Sequence, residues 1–161
     1  MDSTISIKRV VYNDSNKLTI FINEEELQKS LKNRSIYNQK ASNVLNYIYD
    51  GSESEIMDQI SMFVINHSTY NMNSINSVGD FWDDNYGKCL TFALVFKQFA
   101  DLVGIQNDII IGYIDENDSN VRHAWNRITT SDGKYLYYDI TRNILHRENP
   151  IHIQTDINNL Y

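Results

Sequence analysis

The 161-residue sequence predicts an α+β fold, helices packed on an antiparallel β-sheet, from three observations. Apolar residues recur at helical spacing up to about Asp108. Beyond it the pattern turns strand-like, with short runs rich in Ile, Tyr and Trp separated by turn residues. At the change of regime stands one helical segment that is apolar almost all round, as a central buried helix requires. Helices followed by strands, rather than alternating with them, are the α+β pattern.

The elements follow in order. Lys17 to Ile22 adds an N-terminal strand. Glu24 to Asn33 and Ala41 to Tyr49 are expected as two short helices. Glu53 to Asn66 is a third, with Ile56, Ile60, Phe63 and Val64 on its core face. Asn71 to Asn85 is polar, carries Gly79 and the acidic Asp80, Asp83 and Asp84, and is expected as a loop or short turns. The central helix contains Leu90, Phe92, Ala93, Val95, Phe96, Phe99, Ala100, Leu102 and Val103, and Gly104 ends it. Asp108 to Ile114, Arg122 to Thr129 and Lys134 to Ile140 are strands, and the turns Asp115 to Asn120 and Thr130 to Gly133 join them in a meander. The tail from Arg142, with the only proline, Pro150, alternates weakly and is left unassigned.

Length and composition bound the function. At 42% hydrophobic residues the chain supports one well-cored domain over residues 1–161. A net charge of -7 leaves no broad basic face, so neither nucleic acid nor an anionic membrane surface is an expected partner. Lys29, Lys32, Arg34 and Lys40 read as a solvated helix face, with Glu25 spaced to pair with Lys29. No stretch has the length and apolarity of a membrane span, and Met1 to Val11 lacks the pattern of a signal peptide. A soluble protein, cytoplasmic by default, is the expectation, with non-classical export left open. The Asn-x-Ser sequons at Asn13, Asn33, Asn66 and Asn117 are assigned no role. The stretch Asp115 to Asp118 lacks a calcium-loop pattern and reads as a solvated turn.

The chemistry centres on the single cysteine. Cys89 lies in Tyr86-Gly87-Lys88-Cys89, at or near the first turn of the central helix, and cannot form an internal disulfide. A thiol at a helix N-terminus faces unpaired amides and the positive end of the helix dipole, which favour the thiolate and can also hold an oxyanion. Gly87 lets the backbone bend tightly and a substrate carbonyl approach. Such a thiol needs a base to take its proton and a third group to orient that base. His123, in His123-Ala124-Trp125-Asn126, and Asp139, after Tyr138, sit on successive strands and can meet on one sheet edge. Taken singly, Cys89 also reads as a structural thiol, His123 as a histidine packed beside Trp125, and Asp139 as a strand-end cap. His67, His146 and His152 have no comparable partners, and one cysteine rules out multi-cysteine zinc spacings, so no metal or other cofactor is expected.

These segments, Tyr86-Gly87-Lys88-Cys89 with Phe92-Ala93, Gly104-Ile105, His123-Ala124-Trp125-Asn126, Asp132-Gly133 and Tyr138-Asp139-Ile140-Thr141, resemble the transglutaminase-like superfamily over about residues 53–141. Three motifs in the family's order make the match specific. The resemblance implies a papain-like core with Cys89 as nucleophile, His123 as general base and acid, and Asp139 as orienting carboxylate, acting on a peptide or protein through a thioester. Trp82, Asn85 and Tyr86 are candidates for a further oxyanion donor, and Trp125 for a wall of the site. Family membership leaves the acceptor open. Compactness favours a small bacterial enzyme, with peptide or amide hydrolysis, as by a protease or deamidase, ahead of protein crosslinking. A non-catalytic peptide-binding module is the alternative of another class.

Overall fold

The computed structural model describes residues 7–12, 18–22, 24–116, 119–146 and 152–156. Strands β1 (Ile7–Tyr12) and β2 (Leu18–Ile22) form an antiparallel pair. The expected strand here is thus β2, with Lys17 outside the described residues and with a partner the sequence reading did not mark.

Helix α1 runs unbroken over Glu24–Leu45. The two short helices expected there are one, because residues 34–40 contain neither glycine nor proline and bring Tyr37 and Ala41 into the interior. Tyr37 Oη donates to Asp83 Oδ2 at 2.6 Å, and Lys40 Nζ donates to Trp82 O and Asp83 Oδ1 at 2.8 Å each. Lys40 is therefore a tie between helices rather than part of a solvated face.

Helix α2 (Glu53–Asn66) has the expected bounds. Ser52 accepts from the Glu55 amide while the Glu55 carboxylate accepts from the Ser52 amide, a capping box that fixes its start. Its buried residues are Met57, Ile60, Ser61 and Val64, with Ile56 and Phe63 flanking the core. The segment expected as a loop holds β3 (Thr69–Tyr70), the seven-residue helix α3 (Val78–Asp84) and β4 (Tyr86–Gly87). β3 and β4 pair in parallel, and Asn71 N donates to Gly87 O at 2.8 Å.

Helix α4 (Cys89–Val103) is the axis of the molecule. Phe92, Val95, Phe96, Phe99 and Ala100 on it are fully buried, and Gly104, at φ 74°, caps its end. The main sheet follows as β5 (Gln106–Glu116), β6 (Ser119–Thr129) and β7 (Lys134–Tyr138), then, beyond helix α5 (Ile140–His146), β8 (His152–Asp156). Its order β5-β6-β7-β8 is all antiparallel, the meander expected, extended by a fourth strand from the tail left unassigned. Asn117 and Asp118, in the expected first turn, lie outside the described residues, as do Asn13 and Pro150. The third expected strand stops at Tyr138, and Ile140 opens α5 instead.

Strand alternation puts Ala124, Asn126 and Ile128 of β6 and Leu136 and Tyr138 of β7 in the interior. Phe96 of α4 meets the Tyr138 ring at 4.7 Å between centroids, and Asn126 Nδ2 donates to Ala93 O at 3.0 Å. Helix and sheet are thereby locked together beside the start of α4.

Candidate active site

Cys89 is the first residue of α4, a half-buried free thiol. The strand pair β3–β4 holds the chain just ahead of it. Lys88 is the extended N-cap, at φ -131° and ψ -174°, and offers no side-chain cap, so the helix's first amides stay unpaired by it. Gly87 is needed for a reason different from the tight bend expected. A Cβ there would stand 2.7 Å from Thr91 Cγ2 and 2.9 Å from Phe92 Cε1, so its bareness lets β4 lie directly on the first turn of α4. Thr91 is itself tethered: its hydroxyl lies 2.8 Å from Ser74 Oγ, which donates to the buried Asp80 Oδ2 at 2.6 Å.

His123 is supplied by β6 and is only 7% exposed. Its Nε2 lies 2.8 Å from Asp139 Oδ2. Asp139 follows β7 and uses its other oxygen, Oδ1, to accept from the Arg142 amide at 3.0 Å in the first turn of α5. One carboxylate thus caps the start of α5 and holds the imidazole ring by a hydrogen bond.

The electrostatics join the thiol to this pair. The His123 contact pulls the Cys89 thiol below its ordinary value against the opposing effect of burial, and the backbone amides of Ala124 and Leu90 pull in the same direction. Burial alone would push the His123 imidazole down, but the Asp139 hydrogen bond and the contact with Cys89 outweigh it and raise the imidazole to about 9. A thiol lowered and an imidazole raised by each other favour a thiolate–imidazolium pair. With Nε2 held by Asp139, Nδ1 is the ring nitrogen left for the sulfur.

The remaining candidates are placed differently. Trp82 packs against Phe63, Phe81 and Phe99, and its indole Nε1 donates to Gln98 Oε1 at 2.9 Å. Gln98 is nine residues along α4 from Cys89, about 13 Å of helix rise, so that N–H is directed away from the thiol. Asn85 is the left-handed C-cap of α3, at φ 56°. Tyr86 pairs with Thr69 in the β3–β4 ladder, partly buried, three residues before the cysteine. Trp125 shares a strand face with His123, their rings stack at 5.9 Å, and its indole lies over Gly112, where a Cβ would meet Cη2 at 2.8 Å. His67 uses Nδ1 on Phe63 O at 2.8 Å. Among the described residues no group of three or more His, Cys, Asp or Glu is placed to hold a metal ion, and no helix is long and apolar enough to cross a membrane.

The sequence reading did not find the Ser74–Asp80–Thr91 chain that anchors the first turn of α4. Part of it was signalled by Ser77-Val78-Gly79-Asp80, a helix-start pattern.

Comparison with known proteins agrees with this architecture. Two solved structures resemble the chain in fold. One is a crystal structure of a TGase, with TM-score 0.59 and 17% identity, covering 74% of this chain and 34% of that one. The other is a candidate cysteine protease from Cytophaga hutchinsonii, with TM-score 0.57 and 16% identity, covering 76% and 47%. The chain thus spans about a third and about half of the lengths of these two proteins. None of the curated proteins compared matches it. The model of the transglutaminase-like superfamily matches residues 37–140, which is most of the chain and contains Cys89, His123 and Asp139, and the chain belongs to that superfamily.

Proposed function

We propose that this chain, as a single transglutaminase-like domain, is a thiol-dependent enzyme acting on peptide or protein amides, with hydrolysis favoured. The observation that carries it is the coupling of Cys89 to His123, with His123 held at 2.8 Å by Asp139. A structural cysteine needs no such base, and a packed histidine needs no such orienting carboxylate.

The thiolate attacks the amide carbonyl carbon, and the carbonyl π electrons move onto oxygen. Unpaired amides at the start of α4 are the natural donors to that oxyanion, since the Trp82 N–H is committed to Gln98. The imidazolium gives its proton to the departing nitrogen, the C–N bond breaks, and a thioester to Cys89 remains. His123 then takes a proton from water as it attacks the thioester, which releases the acid and restores the thiol pair. An amine in place of water would give a transamidated product. Trp125, stacked on His123, would form one wall of the cleft.

The test compares wild type with Cys89→Ala on peptides bearing internal glutamine, with and without a primary amine, by mass spectrometry. Cys89-dependent cleavage or amide-to-acid conversion is expected. Cys89-dependent amine incorporation would replace hydrolysis by crosslinking, and full activity in Cys89→Ala would end the assignment.

A further inference from the structure

The sheet next to the thiol carries an unfinished ladder. β6 pairs with β5 from Ser119 to Thr129, along its whole length. On its other side β7 covers it only from Asn126 to Thr129. Among the described residues, therefore, the edge of β6 from Ser119 to Trp125 has no strand partner on the β7 side. Cys89 borders that edge: Asn126 Nδ2 of β6 donates to Ala93 O at 3.0 Å, which lays the first turns of α4 against β6, and the Ala124 amide faces the sulfur. Strand N–H groups alternate in direction, so those of Arg122 and Asn120 point the same way as that of Ala124, outward along the open edge.

An open edge of unpaired backbone groups is a template for another strand. We propose that the β6 edge from Ser119 to His123 binds the acyl-donor polypeptide as an added strand that runs past Cys89. This rests on the thiol reading above and names its substrate class: an extended or unfolded polypeptide segment of about five residues, recognised through its main chain. A single amino-acid amide lacks the backbone to use the edge. One side chain of the edge itself fits the same occupant: Val121 is 40% exposed and offers apolar surface to a neighbouring side chain of a bound strand. Among the described residues the outer edge of β5 has no strand partner either, but it lies one strand further from the thiol, about 5 Å, on the side of β5 away from β6.

The test uses alanine peptides ending in an acyloxymethyl ketone, one with a single alanine and one with about five. The Cys89 thiolate attacks the ketone's methylene carbon, a C–S bond forms, and the carboxylate leaves with the electron pair. The long probe is expected to label Cys89 about tenfold faster than the short one. N-methylating its amides one at a time should remove the gain at every second position only, because a strand turns alternate N–H groups towards its partner. Asn120→Pro, which deletes an outward N–H, should slow the long probe and leave the short one unchanged. Equal rates for the two probes, or a loss spread evenly over all N-methyl positions, would overturn the edge while leaving the thiol chemistry standing. If neither probe labels Cys89, the thiol reading fails and the docking proposal with it. Should Asn120→Pro not fold, the N-methyl series on wild type still decides.

Discussion

The candidate site turns on one imidazole whose charge is set by two neighbours. His123 is raised from 6.5 to about 9 although burial opposes it, so the Asp139 bond and the sulfur must supply more than burial removes. For Cys89 the sign is opposite: its pKa falls below 9.0, mainly through His123. Iodoacetamide alkylation of wild type should therefore rise through a pH below 9.0, and in His123→Ala the rise should move back up towards it. A pH–rate profile by mass spectrometry checks this; superimposed profiles would separate thiol from imidazole. A group whose folded pKa is raised contributes stability that is full below its unfolded value and is lost as pH climbs through the folded one. Asp139→Asn should thus destabilise by on the order of 1–3 kcal/mol at pH 6, and the difference should shrink between about 6.5 and 9 in urea melts across that range.

At the scale of elements, the cysteine's position depends on β4 lying against α4. Gly87→Ala would drive a methyl to 2.7 Å from Thr91 Cγ2 and 2.9 Å from Phe92 Cε1, and neither can move cheaply, since Thr91 is tied to Ser74 and Phe92 is fully buried. The substitution should cost about 1–3 kcal/mol and slow alkylation of Cys89 by displacing the first turn, read by thermal melts and labelling rates together. This contact was invisible in the sequence, which marks Gly87 as special but not what approaches it. Legibility varied for physical reasons. α2 was readable because its apolar spacing is regular, and the structure shows its start fixed by the capping box of Ser52 and Glu55. α1 was split in two because residues 34–40 are mostly polar, with only Ile36 and Tyr37 between them, and its continuity is supported by tertiary ties from Tyr37 and Lys40 to α3. α3 was missed for the same reason: seven residues with three acidic side chains carry little periodicity, and a buried Asp80 anchors them. The order Cys89, His123, Asp139 could be read from motifs, but Trp82 could not be placed, since its direction is decided by Gln98 sixteen residues on.

Over the whole molecule, α4 is the layer against which the other helices and the sheet assemble, and the sequence marks it as apolar nearly all round without saying where it opens. The structure separates its residues. Phe96 is fully buried and packs against the Tyr138 ring, whose hydroxyl donates to Asp58 of α2 at 2.8 Å, so one aromatic pair joins α4, β7 and α2 directly before Asp139. Leu102, six residues later, is 37% exposed. Phe96→Ala should cost about 3–5 kcal/mol, through lost burial and the cavity left under Tyr138. That is a large share of the roughly 5–15 kcal/mol that holds a domain together, and it should lower the melting temperature by about 10 °C. Leu102→Ala, at the open side of the same helix, should stay within about 1 kcal/mol of wild type. Calorimetry of both variants decides the matter: equal losses would mean that α4 is covered on its Leu102 side as well. Because Tyr138 immediately precedes Asp139, Phe96→Ala should also lower the pH at which His123 loses its proton, towards 6.5, as the carboxylate's hold on the ring loosens.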